Sequence, residues 1–369
     1  MINGHTILPP QRRIMVFTGS RADYSRIKTV LRELSKRDDV ELLIVVGGPH
    51  LLAEQGGTIE EIQRDGFSIH TRVPMVVEGR ALQCMASSVG LGVVLLSQVF
   101  QETQPDILVV PTDRYETLAA TVAASLMNIP VAHIQGGELS GTIDESIRHA
   151  ITKLAHIHFP ATELSRQRII RMGENPEHVF MVGCPGTDVL LETDIGDKPV
   201  KPYILMLQHP VTTEYGEFGK QYMATWRAVN TIAIANNFAI VSIRPNSDAG
   251  AAITLVGQPT THVPHEEFIR LMAHASVMVG NSSAGIRESG YFGTPVVNVG
   301  TRQNTRERGE NVYDTPYDTG SIRHAIEYQL EHGDYEKTTL YGDGSAGRQI
   351  AEILATIDLT GIVQKSFKE

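Results

Sequence analysis

Short, unbroken apolar runs recur along this chain, and they narrow its folding choices more than any other feature. In the first half they are residues 13–18 (RIMVFT), 40–46, 106–110 (DILVV) and 129–134 (IPVAHI). In the second half they are residues 203–207, 238–243, 276–279 and 296–299. Strands without polar alternation are buried on both faces, so each needs a helix above and below it. The stretches between them supply those helices. Residues 25–36, 58–65, 163–172, 266–274, 321–331 and 347–356 read as helical, as do stretches beginning near Glu116 and within 217–237. Strands are also expected at 67–73, 156–160 and 178–182. This alternation defines an α/β chain with parallel, doubly wound sheets. The acidic, then Pro- and Lys-rich stretch 190–202 (LLETDIGDKPVKP) lacks periodicity and reads as the linker between two such units.

Composition removes several classes of function. Lys+Arg 32 against Asp+Glu 42 gives −10, which argues against nucleic acid or an anionic membrane as a main partner. An anionic ligand must therefore be held by local groups. Two cysteines, Cys84 and Cys184, form no disulfide framework and suit a reducing cytoplasm. The amino-terminal MINGHTILPPQRR has no sustained apolar run of the signal-peptide kind. Residues 81–100 are the richest apolar helix, but Gln83, Ser87, Ser88 and Gln98 interrupt them, so they read as a core helix and not a membrane span. No Cys/His cluster has metal-ligand spacing, and no cofactor is expected.

Polar residues gather just after the strands. Gly19-Ser20-Arg21-Ala22-Asp23-Tyr24 follows the first and leads to Ser25; Gly47-Gly48-Pro49-His50 follows the second; Pro111-Thr112-Asp113-Arg114-Tyr115-Glu116 follows 106–110. The stretch 133–159 is densest. His133 ends a strand, Gly136-Gly137 break it, and Thr142 with Glu145 forms a capping box that opens a helix. One face of that helix is apolar; the other carries Asp144, Glu145, Arg148, His149, Lys153 and His156, with His158 beyond. A solvated face with ordinary i,i+4 ion pairs is the plain alternative. Strand carboxyl ends share one edge of a parallel sheet, where such folds hold ligands, so the clusters around Arg21, Asp113 and Glu138/Asp144 should share a cleft. In the second half His209, Arg244 to Asp248 and Gly280-Asn281-Ser282-Ser283-Ala284-Gly285 occupy the same kind of position. Serines before a helix are often plain caps. With Arg302 at the next strand end, followed by Arg306 and Arg308, a diphosphate site is the better reading, with Glu288 placed for ribose hydroxyls. A serine hydrolase is disfavoured, since G-x-S-x-G is absent.

These motifs resemble those of the hydrolysing UDP-N-acetylglucosamine 2-epimerases. The resemblance runs through GSRADYS (19–25), PDILVV (105–110), GGELSGTIDESIRHAITKLAH (136–156), VGCPG (182–186), LQHPVTTE (207–214), GNSSAGIRE (280–288) and FGTPVVNVGTRQ (292–303). It implies two Rossmann-like domains facing across a cleft, as in GT-B glycosyltransferases: residues 1–190, and 200–346, with a last helix at about 347–369 returning to the first domain. It also implies that Arg21, Ser25 and Arg114 contact the nucleotide sugar, and that His209, Asn246, Val263, Ser282, Ser283, Glu288 and Arg302 hold UDP. Asp113 and Asp144 match acid/base carboxylates, with His209 beside them; His50, His133, Arg148, His156 and His158 match supporting positions. Many relatives carry Glu or His where this chain has Gln135, and Gln is no base near neutral pH, so Glu138 takes that place. The implied protein is a cytoplasmic homo-oligomer, dimer or tetramer, with a UDP-sugar as its small-molecule partner. The segment 251–255 lacks the basic residues that the animal forms use to sense the sialic acid product, so feedback by CMP-sialic acid is not expected.

The implied reaction is elimination of UDP from UDP-N-acetylglucosamine to 2-acetamidoglucal, then addition of water to give N-acetylmannosamine for sialic acid synthesis. A UDP-2,4-diacetamido-2,4,6-trideoxyglucose substrate on the legionaminic acid route, a GT-B glycosyltransferase and a non-catalytic sugar-nucleotide sensor are the alternatives.

Overall fold

The computed structural model of the protein describes residues 11–52, 58–79, 82–245, 256–257, 259–260 and 263–368; Asn246 and the segment 251–255 lie outside the described residues. The first sheet holds β1 (Arg12–Thr18), β2 (Val40–Gly47), β3 (Ile69–Val73), β4 (Ile107–Pro111), β5 (Val131–Ile134) and β6 (Ile157–Phe159). Their order is β3-β2-β1-β4-β5-β6, all parallel. Successive side chains point to opposite faces. Ile14, Val16, Ile44 and Val109 therefore enter one apolar layer, while Met15, Phe17, Val45 and Leu108 enter the other. This two-sided burial is why the strands carry no polar alternation. The chain leaves β1 toward β2 on one side and returns to β4 on the other, so the loops after β1 and β4 diverge and leave a crevice at their carboxyl ends.

The second sheet repeats the scheme. Its strands β7 (Tyr203–Leu207), β8 (Ala239–Ser242), β9 (Val277–Gly280), β10 (Val296–Val299) and β11 (Val312–Thr315) run parallel in the order β11-β10-β9-β7-β8. Ile204 and Met206 face one core, Leu205 and Leu207 the other. The switch point here lies between β7 and β9. Gly280 ends β9 at φ +141, and a Cβ there would collide with the Leu207 carbonyl oxygen, so the site accepts only glycine.

Two segments join the domains. Helix α8 (Pro185–Glu192) packs on α2 (Lys28–Ser35) of the first domain, while its Val189 and Leu190 enter a core layer of the second. The returning helix α13 (Ala346–Thr356) lays Ile350 and Leu354 into the first-domain core. The Asp188 carboxylate fastens all three helices: it accepts from the Ala346 and Gly347 N–H groups at 3.1 and 2.6 Å and from the Thr29 hydroxyl at 2.9 Å.

Several expectations are corrected. The helix expected over 25–36 is α1 (Arg21–Tyr24) plus α2, separated by a turn in which Ser25 donates back to Ala22. The strand expected at 178–182 is a single bridge from Val179 to His158, preceded by a 3-10 turn at Pro176–His178. Neither β11 nor α8 was expected from periodicity, since four residues and eight are short samples of either period. Helix α4 (Leu82–Thr103) is not wholly core: Leu96 and Phe100 are buried, but Leu91 and Val94 stand 38% and 57% exposed. Among the described residues it is one helix long and apolar enough, by length and composition, to cross a membrane.

Candidate active site

The loops at the two switch points face each other and enclose a cavity of about 80 Å³. From the first domain come Asp23, Arg26, Thr112, Asp113, Arg114, Ser140, Thr142 and Asp144; from the second come Ser283, Arg287, Arg302, Gln303 and Arg306. Five arginines therefore meet three aspartates on its walls. This local excess of positive charge, inside a chain of net charge −10, suits a dianionic ligand group.

The first-domain wall is built from strand ends. Thr112 follows β4 with φ +58, and this left-handed turn aims the next residue, Asp113, into the cavity. The turn is braced twice. Its N–H bonds the Ile134 carbonyl at 2.9 Å, and its own carbonyl lies 2.7 Å from His133 Nε2. A carbonyl only accepts, so Nε2 carries the proton, and Nδ1 accepts from the Thr152 hydroxyl at 3.1 Å. Burial pushes the His133 ring down to about 3, which fixes it neutral. His133 thus supports Asp113 from behind without reaching the cavity.

Arg148, fully buried on α6 (Ile143–Leu154), ion-pairs with Asp113 and donates to the Glu138 carbonyl at 2.7 Å. Burial works to raise the Asp113 carboxyl, but Arg148 and then Arg306 outweigh it and hold it at about 2. Asp113 is therefore a fixed anion. Asp23 differs. Burial lifts its carboxyl to about 6, with Arg114 opposing, Glu116 adding to the rise, and the hydroxyls of Thr112 and Ser20 opposing from 2.9 and 3.0 Å. Asp144 lines the cavity from the first turn of α6, which Thr142 caps by accepting from the Asp144 N–H at 3.3 Å.

The second-domain wall follows β9. The helix there, α11 (Ala284–Arg287), is one turn long, so little dipole accumulates. Ser282, just before the helix, accepts from the Ala284 N–H at 3.3 Å. Positive charge at Ser283 comes instead from side chains. Arg26 crosses from the first domain to reach Ser283 Oγ at 3.2 Å, and Arg302 lies beside it, bonded to the Asn281 carbonyl at 3.2 Å.

The expected residues thus divide. Asp113, Arg114, Asp144, Ser283 and Arg302 line the cavity. Arg148 and His133 stand behind Asp113. Glu288 is buried at the end of α11, His209 is half-buried after β7 with its backbone paired to the Asn281 side chain, and Val263 is half-buried against a second-domain core layer. Arg21 and Ser25 lie on the first turn outside the lining. His50 does not reach the cavity; it joins the Thr18 and Thr58 hydroxyls at 3.0 and 2.8 Å. His156 and His158 lie away from the cavity. They sit at the β6 edge, where His156 Nδ1 accepts from the Val131 N–H at 3.0 Å and His158 meets Glu174 at 3.1 Å, beside Lys365. Glu138 is buried outside the lining, with Arg287 and Arg306 on its carboxylate. Sequence reading overlooked Arg26 and Arg287, and it placed Asp23 in the charged cluster with Arg21 without giving it a role of its own. All three lie inside or next to motifs already singled out, so a basic or acidic residue within a turn of the glycine loops was the available signal. Among the described residues no cluster of three metal-ligating side chains occurs.

Fold and cavity define a class: two-domain α/β proteins of the GT-B kind, whose ligand cleft lies between the domains. Residues 32–355 match the UDP-N-acetylglucosamine 2-epimerase family, and the chain belongs to it. It is 39% identical to UDP-N,N'-diacetylbacillosamine 2-epimerase (hydrolyzing) of Legionella pneumophila, over 94% of this chain and 97% of that protein. It is 33% identical to UDP-N-acetylglucosamine 2-epimerase of Neisseria meningitidis, over 93% and 95%. The structure of the Methanocaldococcus jannaschii UDP-GlcNAc 2-epimerase in complex with UDP-GlcNAc and UDP superposes with a TM-score of 0.78 at 18% identity, covering 93% of this chain and 99% of that one; this likeness concerns the fold. The family resemblance read from the motifs stands, as does the fold class.

Proposed function

We propose that the protein is a hydrolysing 2-epimerase of a UDP-linked 2-acetamido sugar. One observation carries the reading: carboxylates on the first-domain wall face an arginine-rich serine turn on the second, across one cavity. The diphosphate sits against Ser283, Arg302 and Arg26. As the C1–O bond breaks, its electron pair passes to the UDP oxygen, and each well-placed cationic donor there lowers the barrier by roughly 3 kcal/mol. The C2 proton passes to a carboxylate and a C1–C2 double bond forms, leaving the glucal. Water then adds its hydroxyl to C1, and a proton returns to C2 on the opposite face, which yields the 2-epimer and UDP. Asp113, ionised throughout, steadies positive charge at C1. Asp144 takes the proton. Asp23, which can hold a proton near neutral pH, serves the return step.

Two sugars are candidates. UDP-N-acetylglucosamine, giving N-acetylmannosamine for sialic acid synthesis, follows from the motifs. The 39% likeness to the Legionella protein weighs toward the 2,4-diacetamido sugar. Proton NMR of the sugar and free UDP released from each substrate tests both. UDP-sugar turned over only when an acceptor is supplied points to a glycosyltransferase, and binding without turnover to a sensor. The free cysteines Cys84 and Cys184 suit a reducing compartment such as the cytoplasm. Self-association is part of the same reading, supported by the uncharged outer face of α4.

A further inference from the structure

The loop after β5 reaches across the cleft with a carboxylate that the proposed chemistry does not use. Glu138, 2% exposed, accepts from Arg287 Nε at 3.0 Å, and Arg287 Nη2 meets the same Oε2. Arg306 Nε lies 3.5 Å from that oxygen and donates to the Leu139 carbonyl at 3.2 Å. Both guanidiniums belong to the second domain and are themselves buried, at 4% and 6% exposure. A base must present a lone pair to the cavity. Here Oε2 is committed to two guanidiniums, and Oε1 is buried with no hydrogen-bond partner.

Arg287 has a special place in the chain. It is the last residue of the one-turn helix α11, with Ser283 at that helix's start and Glu288 next in sequence. A hold on Arg287 is therefore a hold on the serine turn. Gln135, on the same loop as Glu138, adds a neutral contact: its Oε1 accepts from Arg26 at 3.0 Å and from Arg287 at 3.4 Å. The amide orients both guanidiniums without cancelling their charge. We propose that Glu138 is a positioning residue, the first-domain anchor that docks the serine turn of the second domain through Arg287 and Arg306. It thereby couples nucleotide binding to a domain closure that the ligand-free protein already samples. The inference rests on that turn being the UDP diphosphate site.

The test is a double-mutant cycle of Glu138→Gln and Arg287→Gln in the full-length protein. It is read by UDP calorimetry, by kcat and KM, and by small-angle scattering without ligand. Each single change should weaken UDP binding and raise KM about tenfold, with kcat reduced less than that and its pH profile unmoved. The double variant should be no worse than the weaker single one. A kcat loss of ~10²-fold or more in Glu138→Gln, with KM and UDP affinity intact, would make Glu138 an acid–base group and overturn the assignment. Additive losses would also overturn it. If Glu138→Gln fails to fold, Arg287→Lys keeps the charge and loses the fork geometry; parental UDP affinity and radius of gyration in that variant would sink the anchor. Should the parent bind no UDP, the functional reading fails by itself. The anchor then stands or falls on scattering alone, since either Gln variant should expand the ligand-free protein.

Discussion

Asp113 and Asp23 show how two carboxylates in one cavity come to differ. Asp113 is paired with a buried arginine and held at about 2; Asp23 accepts from hydroxyls, and burial outweighs the opposing charge of Arg114, so it rises to about 6. Asp113→Asn and Asp144→Asn should each lower kcat by ~10²-fold or more while UDP still binds. Retained turnover in both would remove the first-domain wall from the chemistry. Asp23 makes a second, separable prediction. Its folded value lies above the ~3.9 of an unfolded aspartate, so between those values the folded protein binds the extra proton, and stability falls as pH rises through that window. Asp23→Asn removes this cost. The variant should be more stable than its parent by ~1–3 kcal/mol near neutral pH, with the difference vanishing toward pH 4, and should turn over more slowly. Urea unfolding at several pH values reads this, and a variant less stable than the parent near neutral pH would refute it. At this scale the sequence was informative where a residue follows a strand: Asp113, Asp144, Ser283 and Arg302 were found that way. It failed for Arg26 and Arg287, whose importance lies in contacts across the cleft that no local pattern encodes.

The loop between β5 and α6 is the element on which the site depends. It ends one strand, caps the next helix and touches the other domain through its backbone. The Gly141 N–H donates to the Arg302 carbonyl at 3.1 Å, and a Cβ on Gly141 would collide with the Thr301 carbonyl oxygen. Its φ is not in the left-handed region, so alanine is tolerated locally. Gly141→Ala should therefore leave each domain's fold intact and hold the two apart. KM should rise about tenfold or more, with the unfolding transition within ~1 kcal/mol of the parent. Parental KM would mean that this backbone contact does not form during turnover. Helix α6 was legible because Thr142, Glu145 and a long amphipathic repeat agree. The 178–182 segment does run beside β6, with the Phe180 and Val182 N–H groups donating to the His158 and Pro160 carbonyls at 2.9 and 3.3 Å, but only Val179 makes a bridge, so the pairing stops short of a strand.

For the whole molecule the decisive quantity is the room between the domains. Helix α4 bears on assembly first: residues 82–101 carry no charged side chain, and Leu91 and Val94 are exposed. Val94→Glu should shift the sedimenting species toward monomer, and a parent that is already monomeric ends that expectation. The cleft bears on turnover. A cavity of about 80 Å³ can surround the reacting end of a substrate. Sites that enclose an entire drug-sized ligand run to roughly 300–1,000 Å³. On the proposed function a nucleotide sugar outsizes this cavity, so the domains should part to admit and release it. The connections that must bend are the stretch after α8 and the segment leading into α13, because Asp188 pins the start of both helices to the first domain. On the proposed function, UDP would offer its diphosphate to Arg26 on one side and to Ser283 and Arg302 on the other, so it should bind the closed form better and shift the population toward it. Closure would also keep bulk water from the proposed glucal until one molecule is placed. The radius of gyration should fall when UDP is added and recover when it is dialysed away, and Arg26→Ala should blunt the fall. If UDP saturates the site and the radius is unchanged, the cleft does not close on the nucleotide.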